Sequence, residues 1–346
     1  MNHYPSNGKE KLNSIILSMA EHHWLFSKNP GHDFTRQHLG KLSFYDTMRL
    51  IISMGKGSTN DEIMDYFDLD PDLIPSQSAF CQRRRQISLS AFEYLFSEFS
   101  SSFPSTTDKF KDHCILACDG CHVVYATNSD IIEDYNKPRL IDYKGYNHMH
   151  LNGFVDVISK AFLDVVIQPG QQPDEREALH SMLDHFTPDD PQKYIITADR
   201  GYESYDLLFH CELQNLGYVF RVKSPSSPKS ILSYYASEFP DDLEEFDVTI
   251  KRFFTDKATN IMKSQSDVYR YINPSKNTTH FYELLRKKHS HLYFLQFRVV
   301  KIKTAGISKT GNLFPPDSVQ FWHFYRKRSG RRKPEKETGW QQQVSL

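Results

Sequence analysis

Residues 194–217, YIITADRGYESYDLLFHCELQNLG, switch from one periodicity to another within a few positions. Tyr194 to Ala198 is uncharged and rich in β-branched residues, the pattern of a short strand buried in a partly parallel sheet. From Tyr205 onward Leu207, Leu208, Cys211 and Leu216 recur at helical spacing, with Ser204 placed to cap the helix and Gly217 to end it. Asp199 therefore falls at the C-terminal end of a strand, and Gly201 permits the sharp turn that follows. That edge of an open α/β sheet is where ligands bind. An Asp there can also simply cap the turn, so Asp199 by itself supports either role.

The neighbouring segments extend this unit. HCILACDGCHVVYAT, from His113, reads as a first strand and carries Asp119. His148 to Ile158 and Ala161 to Ile167 read as a hairpin turning at Ser159-Lys160. DEREALHSMLDHF (174–186) is helical and YVFRVK (218–223) is a further strand. Three strands, a helix, a strand, a helix and a strand make a mixed α/β sheet. Asp is uncommon inside strands, and Asp119 and Asp199 on neighbouring strands would place two carboxylates at one edge. Paired oxygen ligands of this kind suit hard divalent ions.

Upstream, residues from about 9 to 100 read as helical, with SFYDTMRLIISM (43–54), STNDEIMDYF (58–67) and PSQSAFCQRRRQIS (75–88) in succession. Ser58 or Thr59 can cap the second of these and Ser76 or Ser78 the third. Three short helices ending in Arg83, Arg84 and Arg85 resemble a helix-turn-helix with its basic helix offered to DNA; a plain solvated face is the competing reading. Residues 100–111 are rich in Ser, Thr and Pro and read as a linker. From Ser224 a β-rich insertion of roughly 80 to 90 residues follows, in which THFYELL and YFLQFRVVKIK read as strands. Thr304 to Leu346 has little apolar periodicity.

A length of 346 residues is compatible with about two domains. The net charge of −1 conceals a strong asymmetry: 20 Lys+Arg against 6 Asp+Glu from Lys251 onward, or +14, and 22 against 37 before it, or −15. A basic third beside an acidic body marks a polyanion surface. No apolar run reaches the roughly 20 residues of a membrane span and the N-terminus has no apolar signal core, which points to the cytoplasm and, for a DNA-binding chain, the nucleoid. Cys114, Cys118 and Cys121 are read as buried reduced thiols in preference to a zinc site, since no second ligand pair accompanies them.

The order Asp119-Gly120, HLNGFVDVISKAFLDVVIQPG, DEREAL, ITADRGYESYDLL and GYVFRVK resembles the DDE transposases of bacterial insertion sequences, and among them the insertion-sequence-four group. The resemblance covers roughly residues 20–303. It implies a ribonuclease H-like mixed sheet with flanking helices, an N-terminal all-helical DNA-binding domain (1–105), and a catalytic domain (111–346) interrupted by the β-rich insertion at about 224–310. It implies Asp119 and Asp199 as the first two catalytic, metal-holding carboxylates, with Mg²⁺ or Mn²⁺ as cofactor. The partners implied are double-stranded DNA at transposon ends and target, with a homodimer formed on it.

The family's third element is a helix with the pattern Tyr-x2-Arg-x3-Glu-x6-Lys. Tyr325 and Arg328 match it and add to the DNA-contacting set, whereas the next two slots hold Arg332 and Gly339. Glu335 is the carboxylate offered nearby, at a different spacing. The expectation is a frameshifted or truncated C-terminus and impaired cleavage, with an inactive DNA-binding remnant or a stand-alone Mg²⁺ nuclease as the alternatives.

Overall fold

The computed structural model describes residues 8–35, 42–102, 110–137, 145–240, 243 and 245–303, and the backbone of 319–325. The chain divides into two units, Met1–Asp174 and Glu175–Leu346.

The first unit opens with helices α1 (Gly8–Glu21), α2 (Phe44–Ser53), α3 (Thr59–Tyr66), α4 (Gln77–Gln86) and α5 (Ser90–Ser101). Their starts are set by local chemistry. Ser43 and Asp46 form a reciprocal capping box on α2, Ser58 accepts from the Asp61 amide on α3, and Ser76 accepts from the Ala79 amide on α4. Leu50, Ile63 and Phe80, one from each of α2, α3 and α4, are fully buried together, while α1, α2 and α5 share a second cluster around Ile16, Met19, Met48 and Ala91. Of the expected linker, Ser100 and Ser101 close α5 and residues 103–109 lie outside the described residues.

Four strands follow: β1 (Cys114–Tyr125), β2 (Tyr135–Asn136), β3 (Tyr146–Asp156) and β4 (Phe162–Pro169). β3 pairs antiparallel with β1, β2 and β4, so the expected hairpin is β3–β4. Cys114 and Cys118 point inward on β1 with Leu116 between them. Cys121 is exposed, which corrects its reading as a buried thiol: beyond Cys118 the strand leaves the core and its residues lose their cover.

The second unit contains α6 (Glu175–His185), β5 (Tyr194–Ala198), α7 (Tyr205–Gln214), β6 (Gly217–Val222), β7 (Phe246–Thr255), α8 (Asn260–Ser264), β8 (Tyr269–Tyr271), α9 (Thr279–Lys288), β9 (Leu292–Lys303) and β10 (Val319–Tyr325). Its strands run in the order β5-β6-β10-β9-β7-β8, parallel at β5–β6 and β7–β8 and antiparallel elsewhere. Phe209 of α7 and Phe281, Leu284 and Leu285 of α9 pack with Ile250, Phe254, Leu295, Phe297 and Val299 from β7 and β9. The fold is thus mixed α/β with flanking helices, consistent with the ribonuclease H-like transposase fold that the resemblance implies.

Three local expectations are corrected. α7 ends at Asn215, which takes the left-handed conformation (φ 60°, ψ 30°), so Gly217 starts β6 instead of stopping the helix. THFYELL is helix α9, not a strand: Phe281, Leu284 and Leu285 fall on one buried face, and Asp206 of α7 accepts from the His280 and Phe281 amides at 2.9 and 3.4 Å, satisfying the helix start from a distant part of the chain. Val319–Tyr325, within a stretch read as having little periodicity, is strand β10 between β6 and β9. Among the described residues no helix is long and apolar enough to cross a membrane.

Candidate active site

Asp119 sits midway along β1 of the first unit, exposed, opposite Gly153 of β3. Its Oδ1 accepts from the Gly120 amide at 2.9 Å, and across the strand pair it faces a residue without a side chain. Asp199 immediately follows β5 of the second unit and is also exposed. Its Oδ1 accepts from the Gly201 amide at 2.6 Å and its carbonyl from the Tyr202 amide at 3.2 Å. The turn-capping role is therefore real and uses one carboxylate oxygen, leaving Oδ2 available to a ligand. The two aspartates belong to different units.

Gly201 is required by space. A Cβ there would lie 2.9 Å from Asp199 Oδ1 and 3.1 Å from Glu175 Oε2, so a side chain would push the carboxylate out of its turn. Arg176, on the first turn of α6, holds the same turn by donating from Nε to the Gly201 carbonyl at 3.1 Å.

The turn is anchored below by Glu203, which is almost fully buried. Its Oε2 accepts from the Lys223 amide at 3.0 Å and Lys223 Nζ at 3.2 Å, and its Oε1 from Ser230 Oγ at 2.9 Å and the Ile231 amide. Lys223 Nζ also donates to the Arg200 carbonyl at 3.3 Å. Glu203 thus ties the residues after β5 to those after β6. Sequence reading passes over Glu203, Lys223 and Arg176; the available signal is an acidic residue directly before a helix cap, beside the buried Tyr202.

Of the basic residues singled out, Arg83 is half-buried, donates to Gln86 at 3.1 Å and lies over the Phe34 ring at 5.1 Å. Arg84 lies 5.8 Å from the Phe80 ring centroid, and both Arg84 and Arg85 are exposed. Tyr325 is the last residue of β10, so the Tyr-x2-Arg pattern begins on a strand; Arg328 and Glu335 lie outside the described residues.

The profile of the transposase DDE domain matches residues 110–330. The chain belongs to that family. The match runs past Lys303, where the motif resemblance ends, and takes in β10 and Arg328 of this transposase DDE domain. No curated protein matches the chain. A cryo-EM structure of the piggyBac transposase synaptic complex with hairpin DNA is similar at 9% identity with a TM-score of 0.40, covering 93% of this chain and 60% of that one. The chain therefore spans less than two thirds of the length of that transposase chain.

Proposed function

We propose that this chain is a transposase that cleaves and transfers DNA strands at the ends of an insertion sequence, with Asp119 and Asp199 as its metal-holding carboxylates. What supports the reading is that, within the matched DDE domain, each aspartate is exposed on or just after a strand with one oxygen held by a backbone amide. Hard oxygen donors left available in this way fit Mg²⁺ or Mn²⁺. Such ions, once bound, polarise a phosphodiester and lower the pKa of the attacking water. The chain's own part is to orient them: the Gly120 and Gly201 amides fix the rotation of the two carboxyl groups, and Glu203 and Arg176 fix the loop that carries Asp199. Glu335 is the proposed third carboxylate.

The DNA-binding surface is proposed to include Arg83 to Arg85 on α4, within the helical part (1–105), and the basic segment with Tyr325 and Arg328 in the catalytic part (111–346); two copies assemble on the DNA, at the nucleoid. Affinity then falls steeply with salt, and replacing the exposed Arg84 and Arg85 by Ala lowers the slope of log affinity against log salt by about 1 for each phosphate that is no longer neutralised. Fluorescence anisotropy across a salt series measures this, and an unchanged slope would remove α4 from the interface.

A second reading, a chain that binds DNA without cutting it, is favoured by Arg332 in the slot where the family pattern has its Glu. Labelled element-end duplex incubated with Mg²⁺, next to a binding measurement on the same DNA, separates the readings. Cleavage at the ends supports the transposase, binding alone supports the second, and cutting of any duplex without end preference supports a stand-alone nuclease. Neither binding nor cutting would overturn all of them.

A further inference from the structure

Three helices of the second unit each present a histidine to one point: His180 on α6, His210 on α7 and His280 on α9. One ring nitrogen of each lies within 4.8 Å of one from the other two. His210 is fully buried and the other two are half-buried. The rings are nearly parallel, with centroids 3.9 Å apart for His210 and His280 and 4.3 Å for His180 and His280.

Each ring also has a nitrogen turned to a carboxylate. His280 Nδ1 lies 2.8 Å from Asp206 Oδ2, His180 Nε2 3.6 Å from the same oxygen, and His210 Nε2 3.2 Å from Asp184 Oδ1 and 3.2 Å from Gln214 Nε2. The opposite nitrogens of His180 and His210, both Nδ1, face each other at 2.9 Å. Two ring nitrogens at that distance need a proton or a cation between them. Carboxylates behind imidazoles are the arrangement that orients metal-ligating histidines and raises their basicity.

We propose that His180, His210 and His280 bind one transition-metal ion of the zinc class, with Asp206 and Asp184 as the carboxylates that orient the rings. Imidazole nitrogens suit zinc, copper and nickel, unlike the hard oxygen set of the aspartates. Nitrogens at roughly 2.0–2.1 Å from a tetrahedral ion stand about 3.3 Å apart, which rotation of the rings about χ2, a broad torsion, brings within reach. A fourth position remains for water. The ion would tie α6, whose first turn holds the Asp199 loop through Arg176, to α7, which follows that loop, and to α9.

The test uses the full chain stripped of metal by a chelator, without DNA or Mg²⁺, and titrated first with Co²⁺ and then with Zn²⁺. The expected result is one ion per chain at nitrogen ligands, with Co²⁺ absorption bands of a four-coordinate nitrogen-rich site that Zn²⁺ abolishes, and a higher Tm with Zn²⁺. Asp206→Asn should weaken Zn²⁺ binding by about 10- to 100-fold and Asp199→Asn should leave it unchanged. A wild-type chain that shows only the spectrum of hydrated Co²⁺, as rings bridged by a proton would give, overturns the proposal. So does uptake that is undiminished in a folded His180→Gln variant.

Discussion

Asn in place of Asp119 or Asp199 removes Mg²⁺ or Mn²⁺ binding at the carboxylates and lowers strand cleavage by at least about a hundredfold, the cost of misplacing reacting groups by about 1 Å, while leaving DNA affinity nearly intact. The separation of the two effects follows from where the energy comes from. Affinity for DNA is carried mostly by cations set against phosphates, a role these aspartates do not play. The amide group preserves the shape of the side chain and its Oδ1 acceptor, so the turn that takes the Gly201 amide should survive in the Asp199 variant. Calorimetric Mn²⁺ titration, cleavage of labelled end DNA and anisotropy binding, made on the same preparations, check all three parts. Normal Mn²⁺ binding by the double variant would remove the site assignment.

Ala in place of Glu203 produces the largest loss of stability expected from a single polar substitution near the site. It leaves the Lys223 and Ile231 amides without their acceptor and the Lys223 ammonium without its carboxylate, while the Ser230 hydroxyl keeps the Lys223 carbonyl and the ammonium keeps the Arg200 carbonyl. Removing one member of a buried pair costs about 3–5 kcal/mol, and the partial exposure of Lys223 places the loss near the lower figure. That is a large share of the ~5–15 kcal/mol that holds a typical protein folded. Gln in the same place keeps a carbonyl acceptor for one side of the network and should lose less. Urea denaturation followed by far-UV circular dichroism measures both, and an Ala variant with an unchanged midpoint would show that Glu203 does not anchor the loop.

The β5–α7 passage is legible in the sequence because everything that shapes it is contiguous. A short β-branched run, an Asp, a Gly, a capping Ser and a helical apolar pattern lie in sequence order, and each acts over a few residues. The caps of α3 and α4 and the β3–β4 hairpin are readable for the same reason. Asp119 and Asp199 stand out by strand position and motif order, and the DDE family match agrees with the resemblance those motifs carry.

What escapes the sequence depends on partners far along the chain. THFYELL is rich in Thr and aromatic residues and reads as a strand over seven positions. It is a helix because its apolar face meets the β7–β9 core and its first amides find Asp206, 74 residues away from His280. VQFWHFY lacks an apolar–polar alternation, and only pairing with β6 on one side and β9 on the other makes it a strand. Glu203 and the histidines of α6, α7 and α9 are inconspicuous in sequence, being single residues spread over 101 positions from His180 to His280. Local order in this protein is determined by the sequence of neighbours, through periodicity and capping. The support of the Asp199 loop and the meeting of the three histidines are decided by tertiary structure, because hydrogen bonds and burial join side chains that no periodic pattern relates.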